Sequence, residues 1–139
     1  FMSEVYSYNI YPEWYVPRET TEMLTDIHDW AVETFGEKPF IISEIGAGAI
    51  YGYRTPAKVK WSEEYQAETL RKQIDGVLNS GCCNGIYIWQ YCDVRVSDEW
   101  FSNRPRTMNN KGIVDEYRRR KLSYDVVKEL YSARGNYWD

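Results

Sequence analysis

Residues 39–48 read Pro-Phe-Ile-Ile-Ser-Glu-Ile-Gly-Ala-Gly, and this segment decides the fold. Its apolar run has no polar alternation, which is the pattern of a β-strand buried on both faces. The run delivers one carboxylate, Glu44, just before a glycine-rich turn. A charge in such a position is costly unless it is paired, solvated in a cleft or used in chemistry. Glu44 is therefore the first candidate for a functional residue.

The composition indicates one globular domain and excludes several functions. The 139 residues are 43% hydrophobic and 27% charged, enough for a packed core. A net charge of −4 argues against nucleic-acid binding. No apolar stretch approaches the roughly 20 residues of a membrane span, so we expect no membrane partner. Three cysteines without a C-x-x-C spacing and a single histidine suggest neither disulfides nor a metal site. A reducing, cytoplasmic compartment is favoured.

The chain divides into alternating strands and helices. Apolar and aromatic runs predict strands over residues 4–10, 40–43 and 85–91, each buried on both faces. Three amphipathic helices follow, capped by Thr20 or Thr21, by Ser62 and by Ser123. Gly36 and Gly81 are the expected stops of the first two. Long loops cover residues 44–61 and 92–119, and loops of that length are usually functional.

A β-α-β-α-β-α order predicts parallel strands covered by helices. Three such strands have two open edges, which suggests a sheet that lacks its neighbours. In parallel α/β folds the site lies at the carboxyl ends of the strands. Six polar residues follow the predicted strands and should converge there: Asn9, Tyr11, Glu13, Glu44, Gln90 and Asp93.

A strand-end carboxylate among tyrosines, tryptophans and amides suits glycoside hydrolysis, in which carboxylates attack the sugar and protonate the leaving oxygen. The sequence has no complete glycine-rich phosphate or dinucleotide motif, and we expect no cofactor. Other readings stay open at this point. Glu44 is alternatively a structural carboxylate that caps or salt-bridges the loop behind it. Aromatic residues more often pack in a core, and residues 109–112, Asn-Asn-Lys-Gly, have the composition of a turn.

Several motifs resemble the family-2 glycoside hydrolases, specifically the C-terminal part of the β-glucuronidase barrel. Residues 41–47, Ile-Ile-Ser-Glu-Ile-Gly-Ala, are similar to the nucleophile strand of that family. Residues 61–66, Trp-Ser-Glu-Glu-Tyr-Gln, match a further segment. Other segments also match the family, at residues 9–15, 88–91, 109–113 and 119–121. All the matches occur in the family's order and are spread over nearly the whole chain.

The resemblance implies an α/β fold that is a partial (β/α)8 TIM barrel, with residues 1–139 forming its last three β/α units. It implies that Glu44 is the catalytic nucleophile and that Trp89 forms the floor or wall of the sugar subsite. It further implies that the subsite is lined by Asn9, Tyr11 and Tyr15, and that the carboxylate of a glucuronide is bound by Asn109 and Lys111. A charged donor facing that carboxylate would discriminate an acid from a neutral sugar.

The family's Asn-Glu acid/base motif is absent, since no Asn-Glu dipeptide occurs in the sequence. We therefore expect the acid/base to lie outside this chain and the isolated chain to be inactive. The expected partners are a carbohydrate substrate and either the remainder of the barrel or a second copy of the chain. The alternatives are a β-galactosidase of the same family, a non-catalytic carbohydrate-binding module and an α/β interaction domain.

Overall fold

A computed structural model describes residues 3–134. Its strands are β1 (Tyr6–Asn9), β2 (Phe40–Ile45), β3 (Gly85–Ile88), β4 (Val94–Arg95) and β5 (Met108–Asn109). Its helices are α1 (Thr20–Phe35), α2 (Glu63–Asn79) and α3 (Leu122–Ser132), with two short 3₁₀ segments at Asp98–Asn103 and Pro105–Thr107. Within this range no helix is long and apolar enough to cross a bilayer.

The three predicted strands form one parallel sheet in the order β1-β2-β3, which confirms the predicted strand direction. Both pairings shift register near the carboxyl ends. On the β1 side the shift lies between Tyr8 and Asn9, so that Asn9 pairs with Glu44. On the β3 side Ile45 pairs with Ile88. The ends of all three strands thereby meet around Glu44.

The helices cover only one face of the sheet. Ile86 and Ile88 pack with the apolar residues of the helices, whereas Tyr87 between them is 63% exposed. The prediction that each strand is buried on both faces is therefore wrong for the described residues, because nothing covers the second face. The main core cluster consists of Tyr6, Ile10, Leu24, Ala31, Phe40, Ile42, Ile45 and Val77.

One of the three predicted helix caps is confirmed. The Ser62 hydroxyl accepts a hydrogen bond from the Tyr65 amide at the start of α2. The other two predictions are wrong. Helix α1 begins at Thr20 itself, after Glu19, without a side-chain cap; Thr20 is buried against Gly76 of α2.

Helix α3 begins at Leu122 without a side-chain cap. The Ser123 hydroxyl instead donates a 2.8 Å hydrogen bond to Gln66 Oε1, which links α3 to α2. The predicted C-terminal stops of α1 and α2, Gly36 and Gly81, lie just after the last residues of these helices. Gly36 and Gly81 have φ angles of 81° and 73°, a region that glycine adopts without strain.

Strand β3 ends at Ile88, three residues before its predicted end, because the chain then pairs with a different segment. The Gln90 amide donates to the Lys111 carbonyl, and the Ile113 and Val114 amides donate back to Gln90 and Tyr91. The predicted loop over residues 92–119 is likewise ordered around the antiparallel pair β4-β5. These contacts bring the segment of Lys111 to the carboxyl end of the sheet.

Candidate functional site

Glu44 lies at the carboxyl end of the central strand and is fixed by main-chain bonds to both neighbours. The Ile10 amide donates to the Glu44 carbonyl at 2.9 Å, and the Trp89 amide donates to the Ile45 carbonyl at 2.8 Å. The half-buried Glu44 carboxylate accepts a 2.6 Å hydrogen bond at Oε2 from the Tyr11 phenol, its one side-chain partner within residues 3–134. Among those residues it neither caps nor bridges the loop behind it.

The Tyr11 phenol is held as a hydrogen-bond donor. Burial raises its pKa first, and the hydrogen bond to Glu44 and the negative charge of that carboxylate raise it further. The proton therefore stays on the phenol at neutral pH. Such a contact orients the Glu44 carboxylate.

Lys111 supplies a buried positive charge to the same group of residues. Its side chain is 3% exposed, and Nζ donates a 2.8 Å hydrogen bond to the Tyr15 hydroxyl. Nζ also lies 5.4 Å from the ring centroid of Tyr11 and 4.9 Å from that of Tyr15. Burial lowers the pKa of Lys111, while the contact with Tyr15 partly opposes the shift. Burial raises the pKa of Tyr15, but the hydrogen bond and charge of Lys111, together with contacts from Arg104 and Trp14, outweigh burial and lower that pKa overall.

Arg104 is a second cation at this position, and no motif in the sequence indicates it. Its Nη2 lies 3.5 Å from the Tyr15 hydroxyl, although the two residues are 89 positions apart. Its charge also opposes protonation of Lys111. Arg104 stands in an irregular polar loop without a recognisable motif, so only the folded loop brings it to Tyr15.

Two amide side chains, Asn9 and Asn109, were predicted to contact the sugar. Asn9 is exposed, and its Oδ1 accepts a 2.7 Å hydrogen bond from the Ser43 hydroxyl. Asn109 is half-buried, and its Oδ1 accepts a 3.3 Å bond from the Lys111 amide, which closes the turn before that lysine. Asn9 is thus next to Glu44 across the sheet, and Asn109 is next to Lys111 in the turn.

Trp89 stands beside Glu44 because the backbones of β2 and β3 approach closely there. A Cβ added to Gly46 would lie 2.2 Å from the Trp89 carbonyl oxygen, so only glycine fits. Trp89 is 39% exposed, and its peptide bond to Gln90 is cis. Trp89 is thus accessible at the carboxyl end of β3.

Two residues predicted to converge on Glu44 belong elsewhere. The Glu13 carboxylate pairs with Lys72 of α2 at 3.3 Å, because φ is positive at Glu13 and the chain turns back there. Asp93 is buried and pairs with Lys121 at 2.8 Å. Residues 118–121, Arg-Arg-Arg-Lys, have the composition of a solvated loop edge. That interpretation is wrong for Lys121, since its side chain is fully buried.

Gln90 also turns inward. Its Nε2 is buried and has no hydrogen-bond partner among the described residues.

Within residues 3–134 no three histidine, cysteine or carboxylate side chains come together as a metal site would require. The residues gathered around Glu44 are thus one carboxylate, two cations and several aromatic side chains, a set suited to a polar organic ligand with a negative charge.

Comparisons with known proteins bear on this arrangement. No family model matches the chain. A GH2 β-galacturonidase from Eisenbergiella tayi, solved with bound galacturonate, is 60% identical with a TM-score of 0.93 over 96% of this chain. A β-D-glucuronidase from Dictyoglomus thermophilum is 25% identical with a TM-score of 0.76 over 92% of it. A Paenibacillus borealis β-glucuronidase is 25% identical over 96% of it.

The chain spans only about a quarter of these proteins, namely 24%, 22% and 22% of their lengths. The predicted resemblance to part of the family-2 glycoside hydrolases is confirmed, and the similar proteins are glycoside hydrolases. The fold is confirmed as a three-stranded parallel sheet with helices.

Proposed function

We propose that the chain is the C-terminal portion of the (β/α)8 catalytic barrel of a retaining β-glycosidase that hydrolyses β-D-hexuronides. Glu44 is the nucleophile in this proposal. β-Galacturonides are the first substrates to test, because the 60% identical protein was solved with galacturonate. β-Glucuronides, the substrates first expected from the sequence, come second.

The observation that carries the proposal is the position of the Tyr11 phenol between a carboxylate and a cation. Its hydroxyl donates to Glu44 Oε2 at 2.6 Å, and Lys111 Nζ lies 5.4 Å from its ring centroid. A hexuronide carries an electrophilic anomeric carbon and a carboxylate in one ring. With the anomeric carbon at Glu44, its carboxylate would be bound on the Lys111 side, where Arg104 adds a second positive charge.

In the proposed reaction, a Glu44 oxygen attacks the anomeric carbon as the bond to the leaving oxygen breaks. A separate acid protonates the leaving oxygen, and a glycosyl ester of Glu44 remains. The separate acid, which has lost its proton, then acts as a base and deprotonates a water molecule. This water displaces Glu44 from the anomeric carbon and releases the sugar. The two carboxyl groups of retaining enzymes are about 5–5.5 Å apart, and the second one is expected outside these 139 residues.

The uncovered face of the sheet supports the barrel part of the proposal. Tyr87 on this face is 63% exposed, and β1 and β3 are both edge strands in the described range. Neighbouring strands would satisfy those edges and cover the face. The rest of the barrel, or a second copy of the chain, would supply them. The isolated chain is accordingly expected to self-associate and to lack activity, which light scattering and an activity assay would test.

The main experiment replaces Glu44 in the complete polypeptide that the proposal implies. Glu44→Gln should abolish hydrolysis of an aryl β-galacturonide or β-glucuronide, whereas Glu13→Gln, a matched variant at a carboxylate that faces Lys72, should remain active. Full activity in Glu44→Gln would refute the proposal. Activity of the unaltered 139 residues alone would instead show that the acid/base lies within them.

A non-catalytic carbohydrate-binding module is the second candidate, because Trp89 is an exposed indole at the strand ends. Sugar binding that survives Glu44→Gln but is lost in Trp89→Ala, in the absence of any hydrolysis by the unaltered protein, would favour it.

A further inference from the structure

Lys121 is the last residue of the basic run 118–121, and it is enclosed by other segments of the chain. The side chains of Lys121 and Asp93 are both fully buried. Lys121 Nζ donates to the Ala49 carbonyl at 2.6 Å, to Asp93 Oδ1 at 2.8 Å and to the Asn110 carbonyl at 3.1 Å. An ammonium group has three donors, so Lys121 is fully satisfied without water.

The three acceptors belong to three separate segments that meet at the candidate site. Ala49 is in the loop that follows Glu44, Asp93 is in the segment that follows β3, and Asn110 lies between the two residues predicted to bind a carboxylate. The Ala49 amide also donates to the Asn110 carbonyl at 2.9 Å. Lys121 therefore joins the loop behind the nucleophile to the turn that carries Lys111.

Asp93 contacts the chain on the other side of Lys111, at Gly112. Its Oδ1, which accepts from Lys121, also accepts a 2.8 Å bond from the Gly112 amide. A Cβ at Gly112 would lie 2.3 Å from the Asp93 nitrogen, so the two backbones are in direct contact. The residues on both sides of Lys111 are thus bound to one buried ion pair.

We propose that Lys121 and Asp93 are positioning residues that fix the turn of Asn109–Lys111, and so set the selectivity for sugars that carry a carboxylate. This inference rests on the proposed function. A buried ion pair is often no more stabilising than apolar residues of the same size, so stability alone is a weak reason for its presence. Here each Lys121 bond goes to a segment at the candidate site.

The test measures selectivity in the complete polypeptide with the variant Lys121→Met. We compare kcat/KM for an aryl β-galacturonide with kcat/KM for the corresponding neutral aryl β-galactoside. The ratio should fall by about ten-fold or more, mainly through a higher KM for the uronide, since a displaced cation loses a charge-assisted contact. A ratio of two kcat/KM values does not depend on the folded fraction of enzyme, so partial unfolding cannot mimic the effect.

Val77→Ala is the control for destabilisation, because it removes buried atoms from α2 away from the turn. It should lower Tm and leave the ratio unchanged. Asp93→Asn is the second variant; it keeps the size of the side chain and should lower the ratio as Lys121→Met does. An unchanged ratio in either Lys121→Met or Asp93→Asn would overturn the inference.

Lys111→Ala separates this inference from the proposed function. If the ratio falls in Lys111→Ala but not in the Lys121 or Asp93 variants, the proposed function stands and the positioning role is wrong. If the ratio is unchanged in Lys111→Ala as well, Lys111 does not bind the carboxylate and the inference fails, while the proposed function is decided separately by whether the unaltered protein hydrolyses the uronide.

Discussion

The Tyr11 phenol donates a 2.6 Å hydrogen bond to Oε2 of Glu44, across 33 residues of sequence. The contact depends on the parallel pairing of β1 with β2 and on the register shift that places Asn9 opposite Glu44. A short connection after β1 then brings Tyr11 over the carboxylate. The pairing of two strands thereby sets the orientation of a single side chain.

Tyr11→Phe should lower kcat/KM in the complete enzyme. A hydrogen bond to a charged group contributes about 1.5–3 kcal/mol, which corresponds to a loss of roughly 10- to 150-fold if the bond orients Glu44 in the transition state. Tyr65→Phe is the matched control, because its hydroxyl donates to the Glu13 carbonyl instead. Steady-state kinetics give kcat/KM for both variants. An equal loss of kcat/KM in the two variants would contradict a specific role for Tyr11.

The affinity for uronides should weaken at high pH. Lys111 binds a carboxylate only when it is protonated, and burial lowers its pKa below that of an ordinary lysine. As the pH rises through this lowered pKa, KM for an aryl uronide should increase while KM for a neutral glycoside stays constant. Lys111→Arg should move the increase to higher pH, because arginine keeps its charge. A pH-independent KM for the uronide up to the ordinary lysine pKa would be inconsistent with this role.

The sequence was sufficient for the parts of the fold that depend on local patterns. Alternating strands and helices predict a parallel sheet, and the serine before an acidic helix start predicts the Ser62 cap. Glu44 could be found because an apolar run ends in a carboxylate. The resemblance implied that Tyr15 and Lys111 contact the same sugar, and the structure gives a 2.8 Å contact between Lys111 Nζ and the Tyr15 hydroxyl.

The parts that could not be predicted depend on contacts between distant segments. Lys121 has the local sequence of an exposed basic loop, and only its three buried acceptors reveal otherwise. Ser123 has the sequence of a cap but bonds to Gln66 of another helix. Glu13 follows a strand as a site residue would, yet a local turn directs it toward Lys72. The local sequence around Lys121, Ser123 or Glu13 does not indicate which distant residues these side chains will contact.

Gly46→Ala should be strongly destabilising and should impair activity. The new methyl group would lie 2.2 Å from the Trp89 carbonyl oxygen, so the carboxyl ends of β2 and β3 would have to separate. Overpacking of this kind costs about 1–3 kcal/mol or more. Gly85→Ala is the control, since its methyl would meet a side-chain atom of Ile41 at 3.3 Å. Urea unfolding should give a clearly larger loss for Gly46→Ala, and similar losses would argue against the close approach.

Ser62→Ala should destabilise the protein by about 1 kcal/mol, because it removes the acceptor for the Tyr65 amide at the start of α2. Thr21→Ala is the comparison at the start of α1, where no side chain caps the helix. It should change the free energy of unfolding by less than about 0.5 kcal/mol. Thermal or urea unfolding measures both values. A larger effect at Thr21 than at Ser62 would reverse the assignment of the caps.

In the proposed reaction Glu44 forms a covalent bond to the sugar. The direct measurement is mass spectrometry of the complete enzyme after reaction with a 2-deoxy-2-fluoro β-hexuronosyl fluoride, which slows release of the glycosyl-enzyme more than its formation. We predict one added sugar per active site, located on the peptide that contains Glu44 and absent in Glu44→Gln. A sugar attached to another residue, or an active enzyme that is never labelled, would contradict the account.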